Sequence, residues 1–77
     1  MNKERRKILK EQVDGLNTII INIQCVADEE QDALDAMPES LQMSDRYSDM
    51  EDNISDLEEA ISDLETAIET ITNVIDR

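Results

Sequence analysis

The sequence has almost none of the residues that build sheet proteins, tight turns or metal centres. It contains no histidine, tryptophan or phenylalanine, and only one residue each of cysteine, glycine, proline and tyrosine. A single cysteine excludes an internal disulfide, and without histidine the usual closed zinc site is excluded as well. The scarcity of aromatic residues, glycine and proline argues against β-strands. We therefore expect an all-α protein rather than a sheet-based enzyme.

The residue types needed for catalysis are also missing. No nucleophile–base pair is available, because there is no histidine and Cys25 lies among acidic residues. With Gly15 as the only glycine there is no phosphate-binding loop. A calcium loop is nearly present from Asp28, but alanine replaces its required glycine. Some carboxylate pairs are similar to the metal motifs of all-α nucleotide pyrophosphatases, but no substrate-binding residues accompany them. We predict no enzymatic activity, no cofactor and no bound metal.

Long hydrophobic runs are absent too. The longest is Ile19-Ile20-Ile21, far short of the roughly 7–15 residues of a signal peptide core or the about 20 of a membrane span. We therefore expect no membrane contact. An unpaired cysteine suits a reducing compartment, so the expected location is the cytoplasm.

Positive charge is scarce. The chain contains twenty acidic residues and only seven lysines and arginines, which gives a net charge of −13 and argues against direct binding of nucleic acid.

A chain of 77 residues rarely obtains more than about 3–5 kcal/mol from one core of its own. Because disulfides and metals are excluded, we expect self-association, most simply as a homodimer.

Apolar residues recur at alternating steps of three and four in two arrays, which is typical of helices that pack along one seam. Residues 54–60 nearly repeat as residues 61–67, so the repeat is a heptad and not a folded domain. The first array comprises Leu9, Val13, Leu16, Ile20, Ile23, Ala27, Glu30, Leu34 and Met37. The second comprises Tyr47, Met50, Ile54, Leu57, Ile61, Leu64, Ile68, Ile71 and Ile75. These are the a and d positions of the heptads.

The g positions widen this apolar stripe beyond what two helices need. They are small or apolar at Ile19, Val26, Ala33, Ala60, Ala67 and Val74. We take Ile19, Val26, Ala60, Ala67 and Val74 as self-association residues that pair two hairpins into a four-helix bundle. Ile8 and Ile21 lie outside the stripe and are candidate extra contacts.

A single turn separates the arrays. Pro38 disfavours helical geometry in the residue before it, and Ser44 is a suitable N-cap. We predict a helix over about residues 3–36, a turn over 37–44 and a second helix over about 45–76, packed antiparallel as one hairpin over residues 1–77. In this register Leu34 lies near Tyr47, and Glu30 faces Met50 or Tyr47, whose hydroxyl is its expected hydrogen-bond partner.

Charge is distributed unevenly along the chain. Residues 1–10 carry five basic side chains and one acid, whereas residues 28–69 carry sixteen acids and only Arg46. Like charges three or four residues apart destabilise a helix by roughly 0.2–0.5 kcal/mol per pair, so this pattern opposes folding and points to function. The candidate partner-binding residues are Asp49, Asp52, Asp56, Glu59 and Asp63 on the second helix, and Asp28, Asp32 and Asp35 on the first.

The turn and the second helix carry a resemblance. The run from Met37-Pro38-Glu39-Ser40-Leu41-Gln42 through Asp45-Arg46-Tyr47, followed by Ile-Ser-Asp-Leu-Glu heptads, resembles small acidic helical proteins of phages, prophages and mobile elements. The basic start fits the same group, for which no shared activity is established. The resemblance implies a setting in which such proteins inhibit host defence factors, CRISPR effectors among them, sometimes by imitating nucleic acid.

Three hypotheses follow for function. In the first, the acidic residues bind the basic surface of a host nucleic-acid-handling protein and inhibit it. In the second, the chain is a structural oligomerisation or adaptor module whose acids provide solubility. In the third, weaker one, the basic start around Arg5 and Arg6 binds an anionic ligand.

Overall fold

Both helices begin at side-chain caps. The computed structural model describes all 77 residues, with α1 at Lys3–Asp35 and α2 at Asp45–Asp76. The Asn2 side chain accepts a 2.8 Å hydrogen bond from the Arg5 amide, and the Ser44 hydroxyl accepts one of 3.2 Å from the Tyr47 amide. Each cap satisfies a backbone donor that the first helical turn leaves free. The predicted cap at Ser44 is confirmed.

The connection between the helices is short and ordered. Helix α1 ends at Asp35 with Ala36 as its C-cap, and a single 3₁₀ turn follows at Glu39–Leu41 after Pro38. The Ser44 hydroxyl also donates a 2.6 Å hydrogen bond to the Leu41 carbonyl, which joins the turn to the start of α2. The chain therefore reverses over a few residues, and the predicted all-α hairpin is confirmed.

The seam between α1 and α2 consists of the heptad a and d positions. Every one of them is buried or half-buried, whereas most other side chains are exposed. The buried residues are Ala27, Leu34, Met50, Ile54, Ile61 and Ile75. Leu34, Met50 and Ile54 form one cluster near the turn, against which Met37 and Tyr47 pack. The predicted proximity of Leu34 and Tyr47 is confirmed.

Two hydrogen bonds across the hairpin, one towards the turn and one at the chain ends, define the antiparallel register. Asn53 donates to Glu30 at 3.0 Å, and the Arg6 guanidinium donates to the main-chain oxygen of Arg77 at 3.4 Å. Glu30 lies 24 residues after Arg6, and Asn53 lies 24 residues before Arg77, so one register holds along the hairpin. The expected bond from the Tyr47 hydroxyl to Glu30 is wrong, because Asn53 reaches that carboxylate instead.

The fold gives the hairpin two unlike long sides. Antiparallel packing places the g positions of α1 beside those of α2, and the e positions together on the opposite side. One groove is accordingly lined by Val26, Glu30 and Asn53, and another by Gln31, Glu51 and Glu58. We call the first side the g flank, whose apolar members are Ile19, Val26, Ala33, Ala60, Ala67 and Val74.

Candidate interaction surfaces

The acidic side chains predicted to bind a partner all lie in solvent. On α2 they form an exposed row, which we call the acidic ridge, consisting of Asp49, Asp52, Asp56, Glu59 and Asp63. On α1 the exposed residues Asp28, Asp32 and Asp35 form a second group near the turn. The ridge follows the c and f heptad positions, so its carboxylates face away from the seam. The fold leaves all eight side chains accessible to a partner.

Neighbouring amides restrain part of this acidic surface. Gln24 donates a 3.0 Å hydrogen bond to Asp28, and Gln31 donates one of 2.9 Å to Asp35. Both pairs are four residues apart on α1, a spacing that brings side chains together on one helix face. The side-chain amide of Asn53 holds Glu30 in the same way across the hairpin. The ridge carboxylates on α2 have no such amide partner, so they remain free to contact another molecule.

Folding back at the turn concentrates the negative charge in one half of the rod. The half nearest the turn, residues 19–60, contains thirteen acids and Arg46, for a net charge of −12. The other half, residues 1–18 and 61–77, contains seven acids and six basic residues, for a net charge of −1. The basic start thus offsets the acids at the far end of the rod, whereas every ridge residue except Asp63 lies in the half nearest the turn. The molecule is a rod of 60 × 15 × 12 Å with nearly all of its net charge at one end.

The g flank is the apolar surface that the single hairpin leaves uncovered. Ile19 and Val26 are 47% and 55% exposed, Ala33 and Ala67 are exposed, and Ala60 and Val74 are half-buried. The opposite side carries only polar residues at its e positions, namely Lys10, Asn17, Gln24, Gln31, Glu51, Glu58, Glu65 and Thr72. One side of the hairpin is therefore suited to apolar contact and the other to water.

The basic start lies against the end of α2. Arg6 reaches the main-chain oxygen of Arg77, while its Nε is buried without a hydrogen-bond partner. Lys3, Lys7 and Lys10 surround an open depression beside it, together with Glu4. Cations near a helix C-terminus interact favourably with the helix dipole, so this contact stabilises the hairpin end.

Comparison of the chain with family models, with curated proteins and with solved structures returns no match. Neither helix offers an apolar stretch long enough to cross a bilayer. No three His, Cys, Asp or Glu side chains are grouped so that they could hold a metal ion. The candidate surfaces therefore rest on the charge, exposure and packing of the chain itself.

The sequence did not identify Asn53 as a residue that bonds across the hairpin. Asn53 occupies a g position on α2, bonds Glu30 across the hairpin and lines the same groove as Val26. A polar residue among alanines and a valine at equivalent heptad positions was the available signal. Its partner could not be read from the heptads alone, because the expected register placed Glu30 opposite Tyr47 or Met50.

Proposed function

We propose that this protein is a non-catalytic interaction protein of the phage and mobile-element type, acting in the cytoplasm of a host cell. Its acidic half binds the basic surface of a nucleic-acid-handling protein, such as a CRISPR nuclease, and inhibits it by occupying the place of nucleic acid. The observation that carries this proposal is the net charge of −12 on residues 19–60, where every acid except the half-buried Glu30 is exposed and Arg46 is the only basic residue.

The geometry of the acidic ridge supports nucleic-acid imitation. Acids three or four residues apart on a helix are spaced about 5 Å along its axis, at 1.5 Å per residue. That spacing is comparable with the separation of phosphates along a nucleic-acid strand. A cleft built for nucleic acid presents lysine and arginine side chains, which attract such a row of carboxylates over long range. Binding through these charges weakens as salt rises.

Charge reversal tests the acidic ridge. Replacing Asp52, Asp56 and Glu59 by lysine is expected to abolish capture of a nucleic-acid-binding protein from host lysate, because three exposed carboxylates become cations. The helical signal in circular dichroism should persist, since all three side chains are exposed. Capture by the native chain should fall at high salt and in the presence of excess duplex DNA.

The matched control changes the same amount of charge elsewhere. Lysine at Glu65, Glu69 and Asp76, exposed acids in the half with a net charge of −1, should leave capture intact. If the ridge variant still captures the partner, or if both variants lose it equally, the ridge is not the binding surface.

The g flank favours a second candidate, a structural oligomerisation or adaptor module. We propose in either case that two hairpins pair through this flank into a four-helix bundle. Only six of 77 residues are buried in one hairpin, while Ile19 and Val26 stay exposed. If the native chain binds only other copies of itself in host lysate, at low salt as well as at high salt, the protein is an oligomerisation module and inhibition of a host protein is excluded.

A further inference from the structure

The g flank and the charge distribution together determine how a second copy is seated. Resting on the proposed pairing through this flank, we infer that the two hairpins pair with their turns at opposite ends of the bundle. The occupant of the flank is thus an inverted second copy of the same chain. The alternative, with both turns at one end, uses the same apolar residues but a different arrangement of charge.

Charge separates the two arrangements. With both turns at one end, a half carrying −12 lies beside another carrying −12. With the turns apart, each −12 half lies beside a half carrying −1, which includes the five basic side chains of residues 1–10. Helices in a bundle are about 8–10 Å apart, close to the screening length of about 8 Å at physiological salt. The repulsion therefore acts across the interface and favours the inverted copy.

The spacing of the flank residues fits inversion. Ile19 and Ala60 lie near the midpoints of α1 and α2, on either side of the middle of the rod, so a two-fold axis across the rod there places Ile19 level with Ala60 of the second copy. Val26, seven residues towards the turn, then lies level with Ala67 of the second copy, seven residues the other way. With both turns at one end, Val26 and the polar Asn53 of both copies would instead share a level.

The face of the rod that carries the g flank is large enough for a standard interface. The rod is 60 Å long and 15 Å wide, an extent comparable with the about 800 Å² that each partner of a standard interface buries. One local contact opposes inversion, because Asp56 and Asp63 lie on either side of the α2 midpoint and approach their counterparts. These side chains are exposed at the border of the flank, where water and salt screen them. Their mutual repulsion involves two acids per chain, whereas the arrangement with both turns at one end brings together two halves with thirteen acids each.

Inversion has a consequence for the proposed function. It places the two acidic halves at opposite ends of a particle about as long as one hairpin, 60 Å. Each pair then offers two separate acidic surfaces and can engage two basic partners. With both turns at one end, the pair would present a single continuous acidic surface.

Distance measurement between spin labels tests the direction. Cys25 is exposed and is replaced by serine, and Met43, which is 97% exposed in the turn, is replaced by cysteine and labelled with a nitroxide. In double electron–electron resonance on the pure protein, inversion gives an interspin distance near the 60 Å length of the rod. A distance under about 30 Å, as side-by-side bundle helices would give, overturns the inference.

A second label position separates failure of direction from failure of pairing. Thr18 is exposed near the midpoint of α1, so Thr18→Cys in the Cys25→Ser chain gives a short distance in either arrangement. A short distance at Thr18 with a long one at Met43 supports inversion. Short distances at both positions refute inversion alone, and no interspin distance at Thr18 refutes the pairing itself. None of these three results decides whether the acidic ridge binds a partner, which the charge-reversal experiment tests.

Discussion

At the scale of single residues, Gly15 offers the simplest stability change. It lies inside α1 without a positive φ angle, and a Cβ built there meets no atom within 4 Å. Glycine in a helix interior costs about 1 kcal/mol relative to alanine, so Gly15→Ala is expected to raise the free energy of unfolding by about that amount. Thermal melting followed by circular dichroism measures the change.

The same variant tests whether Gly15 serves a contact between chains. If the alanine variant melts lower than the native chain or loses its self-association in sedimentation, the glycine permits close approach of a second chain. An unchanged assembly with a higher melting temperature shows that Gly15 has no such role.

For Glu30, the heptad pattern predicts the position of the residue in the seam but not its hydrogen-bond partner. The heptads correctly place this carboxylate at a half-buried d position. They do not identify its partner, because Asn53 is 23 residues away in the chain and its distance from Glu30 depends on the relative displacement of two helices. Met50 is about one helical turn from Asn53 on α2 and Tyr47 is nearly two turns away, and periodicity alone does not decide which of the three reaches Glu30.

At the scale of the helices, stability depends on the cluster near the turn. Leu34 is 7% exposed and packs with Met50 and Ile54. Truncating a buried leucine to alanine costs about 2–5 kcal/mol, which is most of the about 3–5 kcal/mol expected from a core of this size. Leu34→Ala is therefore expected to reduce the helical signal strongly at room temperature.

Leu41 provides the matched control for this substitution. It lies in the 3₁₀ turn and is 49% exposed, so Leu41→Ala removes the same atoms from a less buried site. This variant should keep its helical signal and melt close to the native chain. Equal losses in the two variants would show that the cluster does not hold the hairpin together.

At the scale of the whole molecule, pairing depends on the g flank. Val26→Glu places a carboxylate in the middle of that apolar surface, where burial of an unpaired charge is strongly unfavourable. The variant is expected to sediment as a monomer at concentrations where the native chain is a dimer. Ile21→Glu is the control, because Ile21 is 62% exposed at a b position outside the flank. Loss of the dimer in the Ile21 variant, or its persistence in the Val26 variant, would place the interface elsewhere.

The sequence by itself determined the helices, their turn and the buried seam. These features are local: steps of three and four align residues on one helix face, Pro38 interrupts the helix, and the Ser44 hydroxyl caps an amide three residues away. It also identified the acidic residues that the fold leaves exposed, because b, c and f positions face away from the seam.

Only the tertiary structure decided which distant residues share a surface. Antiparallel packing placed Val26 and Asn53 on one groove and Gln31 with Glu58 on another, which separated an apolar flank from a polar one. It also brought residues 1–18 beside residues 61–77 and left the −12 half alone near the turn. The physical reason is that these relations join residues far apart in the chain, so they depend on the direction and register of helix packing and not on the periodicity of either helix.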